Sequence, residues 1–349
     1  MQEFISKYKD EVERTLKDFF TEKKRSLKSE ILRDVVNVIE EYTLRGGKRI
    51  RPVLMILSYL MHGGEEDSRI LRAAAALELI QSYFLIHDDI MDESDLRRGK
   101  ATVHRIYEQK HLEEGYPGKP ARFGENVAII AGDLANVYAF ELFINSGFSG
   151  PAFHKALKAL NEIIEYTGYG QIIDVNSSVI PNFGERDLLL LHEYKTANYT
   201  IYGPLALGAI LAGKAPEKLK DYAIPIGIAF QLQDDILGLF GDEERIGKPV
   251  TSDLAEGKRT LLIIKALEFA SPEDRKIIEE ALGNPAVTQE QLEMVRNIVR
   301  ETGSLDYSRS MAEELVRSAT EHLDNLKFER EEYKEILKEL GEYMIQRSY

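Results

Sequence analysis

Apolar residues recur along most of this chain with the spacing of helices. Five stretches carry them at three- and four-residue intervals or continuously: Ile70–Met91, Phe123–Ile144, His154–Ile173, Glu185–Leu211 and Tyr222–Phe240. This period is typical of α-helices, and the alternation and hairpin turns of strands are hard to find. Clusters of Gly and Pro separate the stretches, and neither a repeat nor a Ser- or Pro-rich linker divides the chain. The pattern predicts one all-α domain over residues 1–349, with ten or more helices.

Two of these helices, 73–90 and 224–236, are apolar on nearly all sides. Such a helix belongs in the middle of a bundle. Each nevertheless ends in paired aspartates, Asp88-Asp89 in the first and Asp234-Asp235 in the second. Carboxylates are rarely buried unless they are paired or bind a cation. A conflict between pattern and charge of this kind is typical of a functional site.

The first acidic motif is Asp88-Asp89-Ile90-Met91-Asp92. On a helix, Asp88 and Asp92 share one face with Cβ atoms roughly 5–6 Å apart, which suits one bridged hard cation or two clamped ones. Asp89 points roughly 100° away, where it can act as a supporting acceptor. The alternative is a solvated acidic patch, which the helix dipole disfavours at a C-terminal end.

A second acidic cluster, Phe230-Gln231-Leu232-Gln233-Asp234-Asp235, follows the other apolar helix. One acidic pair alone is a modest signal for a metal site. Two pairs at the ends of two central helices predict opposed metal-binding walls of one cavity.

Basic residues accompany both acidic motifs. Lys48, Arg49 and Arg51 follow a diglycine and precede a helix, where backbone amides and cations favour anions; an ordinary basic cap is the alternative. Arg97, Arg98 and Lys100 follow the first motif, and Lys195, Lys248 and Lys258 lie in the second half. The basic residues after the first motif would, in the simpler interpretation, balance the charges of Asp92, Glu93 and Asp95. Together the basic groups favour a site for metal-bound polyphosphate.

Composition narrows the possible classes of protein. The 349 residues carry a net charge of −14, which argues against a nucleic-acid partner. Cysteine is absent, so disulfides, thiolate ligands and a cysteine nucleophile are excluded. The charged N-terminus lacks the apolar core of a signal peptide. The chain has no run of 18 or more uncharged apolar residues, so we expect no transmembrane segment. We expect a soluble, cytoplasmic protein.

An ordered set of motifs resembles the trans-prenyl diphosphate synthases of the short-chain type, over roughly residues 40 to 265. The first acidic motif followed by Leu96-Arg97-Arg98-Gly99 resembles the family's first aspartate-rich motif. The remaining matches follow in order: Gly46-Gly47-Lys48-Arg49 with Arg51-Pro52, Gly170-Gln171-Ile172-Ile173-Asp174, Lys195-Thr196, Phe230-Gln231 with Asp234-Asp235, and Gly257-Lys258-Arg259-Thr260. The resemblance implies an isoprenoid-synthase-type helical bundle around a central cavity, assembled as a homodimer.

The resemblance also implies roles for individual residues. Asp88, Asp92 and Asp234 would ligate magnesium, with three ions once substrate is bound. The residues that would contact the allylic diphosphate are Arg97, Lys195, Lys258 and Lys248. Those that would hold isopentenyl diphosphate are Lys48, Arg51, Gln81 and Arg98, and Gln81 stands where many members have His.

The implied reaction is ionisation of an allylic diphosphate, attack by isopentenyl diphosphate and loss of a proton to the departed diphosphate. Thr196, the region of Lys195 and Gln231 would offer oxygen dipoles to the allylic cation. Tyr83 and Phe84, five and four residues before Asp88, would plug the product tunnel and limit the product to C15 or C20; core packing is their alternative role. The second motif departs from the family at Gly238, where a third aspartate is usual; Asp235 or Asp242 would then help to hold the third ion.

Three rival classes have less support in the sequence. An all-α metal phosphohydrolase would use His62, His87-Asp88 and Asp133, but leaves the second acidic pair and the diglycine motif without a role. A non-catalytic subunit of a heteromeric synthase would be expected to lose aspartates from one motif, and both pairs persist. A terpene cyclase would not need Lys48 and Arg51 for a second diphosphate.

Overall fold

The helix that carries the first acidic motif is α4, Ser68–Met91. It begins after Asp67, whose carboxylate accepts hydrogen bonds from the backbone N–H groups of Arg69 at 2.8 Å and Ile70 at 3.3 Å. These bonds satisfy amides that have no partner within the helix. Residues 73–80 are all buried. The apolar pattern thus correctly predicts a helix surrounded by protein.

The computed structural model describes residues 1–180, 182–241 and 250–345. It divides the chain into two compact units. The first contains residues 1–60 and 64–153, and the second contains residues 61–63 and the described residues from His154 onward. The prediction of a single domain over residues 1–349 stays a prediction.

The first unit is built from helices and one short hairpin. Its elements are α1 Gln2–Ser26, α2 Glu30–Leu44, α3 Ile50–Met61, α4 Ser68–Met91, β1 Leu96–Arg97, β2 Lys100–Ala101, α5 Val103–Glu113 and α6 Pro120–Ile144. Helices α4 and α6 pack along much of their length. The buried positions of α6 are mostly Ala and Gly, which let two helix backbones approach closely. One of them, Gly132, lies beneath the His87 ring, because an added Cβ would be 2.6 Å from Nε2.

The second unit is helical throughout its described residues. Its elements are α7 Gly150–Ser177, α8 Glu185–Leu191, a π-helix His192–Tyr202, α9 Gly203–Leu211, a 3₁₀ turn Glu217–Leu219, α10 Lys220–Phe240, α11 Ser252–Ala255, α12 Leu261–Phe269, α13 Pro272–Ala281, α14 Gln289–Glu301, α15 Ser304–Asn325 and α16 Glu332–Ile345. Helix α10 packs against the π-helix and α15. Its Tyr222 hydroxyl donates to the Leu337 carbonyl oxygen at 2.9 Å. The helix that carries the second acidic pair is therefore central in its own unit.

The prediction of an all-α fold with ten or more helices is confirmed. The hairpin was not predicted: Leu96 pairs with Ala101, and Arg97 pairs with Lys100. Its two turn residues, Arg98 and Gly99, have φ values of 54° and 73°. Positive φ at both positions matches the two-residue turn that suits the twist of a hairpin.

Three helical segments meet the length and composition of a membrane span: α4, α6 and Glu217–Phe240. In the fold, 61%, 44% and 50% of their most apolar windows are buried inside the protein. The prediction of no transmembrane segment is therefore not confirmed by length and composition, and it stays a prediction.

Candidate functional site

Asp88 and Asp92 lie on the last turn of α4. The Asp92 backbone N–H donates to the Asp88 carbonyl oxygen at 2.9 Å, so helical spacing continues to Asp92. The Asp88 side chain is 19% exposed, and Asp92 is exposed. Two carboxylates four residues apart on a helix share a face. This arrangement agrees with the geometry expected from the sequence.

Asp89 faces the interior and is fully buried. Its Oδ2 accepts from the Tyr42 hydroxyl at 2.6 Å, and its Oδ1 accepts from Arg97 Nε at 2.7 Å and Nη2 at 2.5 Å. Burial raises the Asp89 pKa, and Arg97 and Tyr42 partly offset that effect. Asp89 therefore takes the supporting position predicted for it, with its carboxylate held by Tyr42 on one side and Arg97 on the other.

The cation that follows the first motif has a specific protein partner. Burial disfavours the Arg97 cation, but Asp89 and Tyr42 outweigh burial and raise the pKa of Arg97. Arg97 Nη2 also lies 3.8 Å from Asp88 Oδ2. The charge-balance interpretation named Asp92, Glu93 and Asp95, whereas Arg97 contacts Asp89 and Asp88. A contact between Arg97 and an allylic diphosphate stays a prediction.

The diglycine loop lies against Arg98. Arg98 donates to the Gly46 carbonyl oxygen, and an added Cβ at Gly47 would be 3.1 Å from Arg98 Nη2. Gly46 and Gly47 have φ values of 96° and 118°, a region that favours glycine. The burial of Arg98 and the charge of nearby Arg49 lower the pKa of its guanidinium. Glycine is needed here for backbone conformation and for room beside a guanidinium.

A small pocket in the first unit brings several predicted residues together. Its lining residues are Tyr42, Thr43, Arg45, Arg49, Glu78, Gln81, Ser82, Leu85, Arg97 and Arg98. Gln81, Arg97 and Arg98 were predicted to bind diphosphates, and the structure places them in one pocket. Lys48 and Arg51 were predicted with them and are not among the lining residues.

Arg45 is a pocket residue that the sequence reasoning missed, and Arg49 was noted only as one cation of the diglycine motif. Arg45 pairs with Glu41 at 2.8 Å, and Arg49 pairs with buried Glu78 at 2.5 Å and Glu13 at 3.2 Å. Within the described residues, Arg45 Nη1 and Arg49 Nη2 are buried without a hydrogen-bond partner. The cluster of cations after position 44 was the available signal, but burial was needed to select these two.

The π-helix of the second unit carries Lys195 and Thr196. Lys195 Nζ pairs with Asp174. The Thr196 hydroxyl donates to Gln231 Oε1 at 2.9 Å, and Gln231 Nε2 donates to Asp235 Oδ1 at 3.0 Å. Three residues from two elements thus form a continuous chain of hydrogen bonds.

Asp235 is a buried supporting carboxylate of the second acidic pair. Its Oδ1 lies 3.6 Å from Lys258 Nζ, and its Oδ2 lies 3.4 Å from His192 Nε2. Burial opposes ionisation of Asp235, but Lys258 and His192 outweigh it and lower the pKa to about 2. Burial likewise disfavours the Lys258 cation, while Asp235 and Asp253 raise its pKa. The Asp234 side chain is half-buried.

The departure of the second motif from the family at Gly238 has a structural counterpart. An added Cβ at Gly238 would be 2.1 Å from Asp253 Oδ2, so the buried Asp253 carboxylate lies where a side chain at position 238 would begin. The predicted helpers for this site were Asp235 and Asp242. Asp242 and Lys248 lie outside the described residues.

The carboxylates present fit a magnesium ion that is shared with substrate. Within the described ranges, no group of three or more His, Asp or Glu side chains forms a metal site by itself. Magnesium prefers oxygen ligands, and proteins bind it through one or two carboxylates together with substrate phosphates and water. Asp88 and Asp92 supply such a pair in the first unit, and Asp234 supplies the same kind of ligand in the second.

The predicted chain-length residues are both half-buried. The rings of Tyr83 and Phe84 are 4.7 Å apart, and the Tyr83 ring lies 5.0 Å from that of His87. Burial and the charge of Asp133 raise the Tyr83 pKa, so Tyr83 faces α6. Phe84 precedes Asp88 by one turn and shares its side of α4. The two rings contact each other, and Phe84 is the one that shares the side of Asp88.

The geometry around His87 does not favour the phosphohydrolase alternative. His87 Nε2 lies 3.0 Å from the Ile129 carbonyl oxygen, which can only accept, so this nitrogen donates a proton and cannot ligate a metal. Asp133 Oδ1 is 3.8 Å away. His62 lies in the second unit, with its ring 5.3 Å from Phe328.

Comparison with known proteins gives a consistent result. A family model described as polyprenyl synthetase matches residues 33–299. The geranylgeranyl diphosphate synthase of Saccharolobus solfataricus is 36% identical over 308 residues, which cover 86% of this chain and 87% of that protein. The geranylfarnesyl diphosphate synthase of Aeropyrum pernix is 34% identical and covers 86% of this chain and 91% of its own length.

A solved structure resembles the whole chain. It is geranylgeranyl pyrophosphate synthase from Corynebacterium glutamicum complexed with isoprenyl diphosphate and magnesium. The TM-score is 0.93 at 35% identity, with 98% of this chain and 99% of that chain covered. The phosphohydrolase and non-catalytic alternatives have no support in these comparisons.

Proposed function

Because this chain belongs to the polyprenyl synthetase family and is a short-chain trans-prenyl diphosphate synthase, we propose that it condenses isopentenyl diphosphate with dimethylallyl, geranyl or farnesyl diphosphate. The observation that carries this proposal is the Asp88–Asp92 pair, held at the end of α4 beside the clamped Asp89. This arrangement supplies one partly buried and one exposed carboxylate beside a charge-paired Asp89.

Magnesium would be held by Asp88, Asp92 and Asp234, with three ions in the substrate complex. When bound, it neutralises the leaving diphosphate and so favours ionisation of the allylic C–O bond. Lys195 and Lys258 add positive charge toward the same diphosphate. Asp174 and Asp235, the partners of these lysines, orient them before substrate arrives.

The hydroxyl of Thr196 has the polarity needed beside an allylic cation. Because it donates its proton to Gln231, the lone pairs of its oxygen remain directed elsewhere. Gln231 is fixed in turn by Asp235. We expect the oxygen to face the cation formed on ionisation, and the departed diphosphate to accept the proton that is lost after condensation.

Isopentenyl diphosphate would bind at the diglycine loop. Lys48, Arg51, Gln81 and Arg98 are its proposed ligands, and the buried donors of Arg45 support an anion in the same pocket. This assignment predicts that loss of Arg98 raises the KM for isopentenyl diphosphate more than the KM for the allylic substrate.

The decisive experiment compares Asp88→Ala with Asp133→Ala. The protein is incubated with isopentenyl diphosphate, magnesium and each allylic primer, and the products are measured by mass. Asp88→Ala should lower turnover by on the order of 10² or more, since a group that stabilises the transition state is removed. Asp133→Ala should retain turnover. Near-normal activity of Asp88→Ala, or phosphate release that depends on Asp133, would sink the proposal.

The proposed product is C20 or C15, limited by aromatic rings on α4. Phe84 shares the side of α4 that carries Asp88, whereas Tyr83 packs toward His87 and Asp133. Replacing both Tyr83 and Phe84 by Ala should lengthen the product, with Phe84→Ala giving most of the change. An unchanged product length in the double variant would refute the plug.

A homodimer in the cytoplasm is also proposed. Helix α6 exposes a row of large apolar side chains: Ile129, Ile130, Val137 and Ile144. Exposed apolar patches of this kind are typical of protein–protein interfaces. Light scattering of the wild type and of Ile130→Glu tests the dimer, because a charge in the interface should shift the mass toward the monomer.

A further inference from the structure

The π-helix His192–Tyr202 is an unusual support for two site residues. Its last turn is closed by a hydrogen bond from the Gly203 N–H to the Asn198 carbonyl oxygen, five residues earlier. Such helices are rare and are generally a single turn long. This one is eleven residues long, so neighbouring elements must stabilise a geometry that the chain would not prefer alone.

One face of α7 contacts the π-helix through three residues at four-residue spacing, Tyr166, Gly170 and Asp174. The Tyr166 ring lies 5.2 Å from the Tyr194 ring. An added Cβ at Gly170 would be 2.5 Å from Lys195 N and 2.7 Å from its Cα. Asp174 pairs with Lys195 Nζ. The glycine therefore lets the backbone at Lys195 lie directly on α7, while the aspartate holds the amine.

One face of α10 repeats this arrangement with Gly227, Gln231 and Asp235. An added Cβ at Gly227 would be 2.4 Å from the Cα of Ala197. One turn further along, Gln231 accepts from the Thr196 hydroxyl, and Asp235 in turn accepts from Gln231. Each flanking helix thus presents a glycine to the π-helix backbone and a polar group to a site side chain.

We propose that Gly170 and Gly227 are positioning residues, which fix the π-helix backbone at 195–197 so that the Lys195 amine and the Thr196 hydroxyl are held toward the allylic diphosphate. The identity of that ligand rests on the proposed function, whereas the backbone clamp does not. Neither glycine has positive φ. Glycine is required at both positions because only a hydrogen atom fits between the two backbones.

The matched control for Gly170 is Gly168 on the same helix. An added Cβ at Gly168 meets no atom within 4 Å, and alanine is the better helix former. Gly170→Ala and Gly227→Ala should speed hydrogen exchange of the amides in 192–202, and Gly168→Ala should not. In the presence of magnesium, Gly170→Ala should weaken binding of farnesyl thiodiphosphate, an allylic analogue that ionises poorly. The kcat of Gly170→Ala should fall on the order of a hundredfold, which is the effect of displacing a site group by about 1 Å.

Binding of isopentenyl diphosphate separates positioning from general damage. Its proposed ligands lie in the first unit, so its Kd should stay unchanged in Gly170→Ala. If Gly170→Ala weakens the binding of both ligands equally, the proposal is overturned. It is also overturned if the hydrogen exchange and the kcat of Gly170→Ala match those of Gly168→Ala. If the glycine variants speed hydrogen exchange in 192–202 but the wild-type protein shows no prenyl transfer, the proposed function is refuted and the backbone clamp is not.

A second variant covers failure of Gly170→Ala to fold. Ala197→Gly removes the methyl group that lies against Gly227 and adds no atoms. It should speed exchange within 192–202 and lower kcat, with less effect than the crowding variants. Wild-type exchange and turnover in Ala197→Gly would overturn the proposal.

Discussion

The ion pair between Arg49 and Glu78 gives the most quantitative test of the first unit. The two side chains are 2% and 5% exposed, and Arg49 Nη1 lies 2.5 Å from Glu78 Oε2. Glu78→Gln keeps the shape of the side chain and removes its charge. The Arg49 cation then remains buried, and among the described residues its remaining ion-pair partner is Glu13 at 3.2 Å.

The expected loss of stability follows from that burial. Removing one partner of a buried pair costs about 3–5 kcal/mol, because an uncompensated charge remains. Glu13 retains part of the compensation, and the new amide oxygen can still accept a hydrogen bond. We therefore expect a loss of about 2–4 kcal/mol for Glu78→Gln. At roughly 2–4 °C per kcal/mol, Tm should fall by about 5–15 °C.

The assay is calorimetric unfolding of Glu78→Gln beside Glu125→Gln. Glu125 pairs with Arg122 at 2.9 Å, but these side chains are 36% and 67% exposed. Exposed pairs contribute about 0–1 kcal/mol, so this control should unfold near the wild-type Tm. Replacing both members of the buried pair by Met and Leu should recover much of the loss. Equal Tm values for Glu78→Gln and the control would refute the reasoning.

Two further changes test the acidic motifs. Tyr42→Phe removes a buried hydrogen bond to Asp89, so the free energy of unfolding should fall by about 1.5–3 kcal/mol in urea titration, whereas Tyr116→Phe at an exposed ring should leave it unchanged. Gly238→Asp restores the family's usual third aspartate, yet it should lower both Tm and turnover, because its Cβ would meet the Asp253 carboxylate at 2.1 Å. Adding Asp253→Ala should partly restore the Tm. A wild-type Tm for Gly238→Asp would contradict the close contact.

The sequence is a good guide to the helices because burial repeats with the helical period. The stretch predicted to be apolar on all sides, 73–90, lies within α4, and 224–236 lies within α10. The stretch Glu185–Leu211 is helical from end to end, as predicted. Local signals also existed after residue 269, where nothing was predicted. Ser271 caps α13, and Thr288 forms a capping box with Gln291 at the start of α14, both readable patterns.

The pairing of charges could not be predicted, because it depends on contacts between distant segments. Sequence neighbours suggested that Arg97 balances nearby acids, but its main partner is the buried Asp89, which Tyr42 also contacts. In the diglycine motif, Arg49 is the buried cation and Lys48 is exposed. Nothing in the order of Lys48, Arg49 and Arg51 indicates which of them turns inward.

The backbone contacts of the second unit could not be predicted from the sequence either. Gly170 was part of a recognised motif, and Gly227 was only one small residue in an apolar helix. Their roles depend on the distance to another backbone, which no periodicity encodes. The segment His192–Tyr202 likewise has no composition that marks it as a π-helix rather than an α-helix.

The π-helix also restricts how genes of this kind can change. Each i→i+5 turn contains one residue more than an α-helical turn, and loss of one codon between His192 and Tyr202 is the smallest change that would remove it. Such a deletion would let the segment close as an α-helix, so the backbone at 195–197 would take a different path beside Gly170 and Gly227. Substitutions at many of these positions would keep the backbone path, but this deletion would not. We therefore expect turnover to depend on the number of residues in this segment as well as on the identity of Lys195.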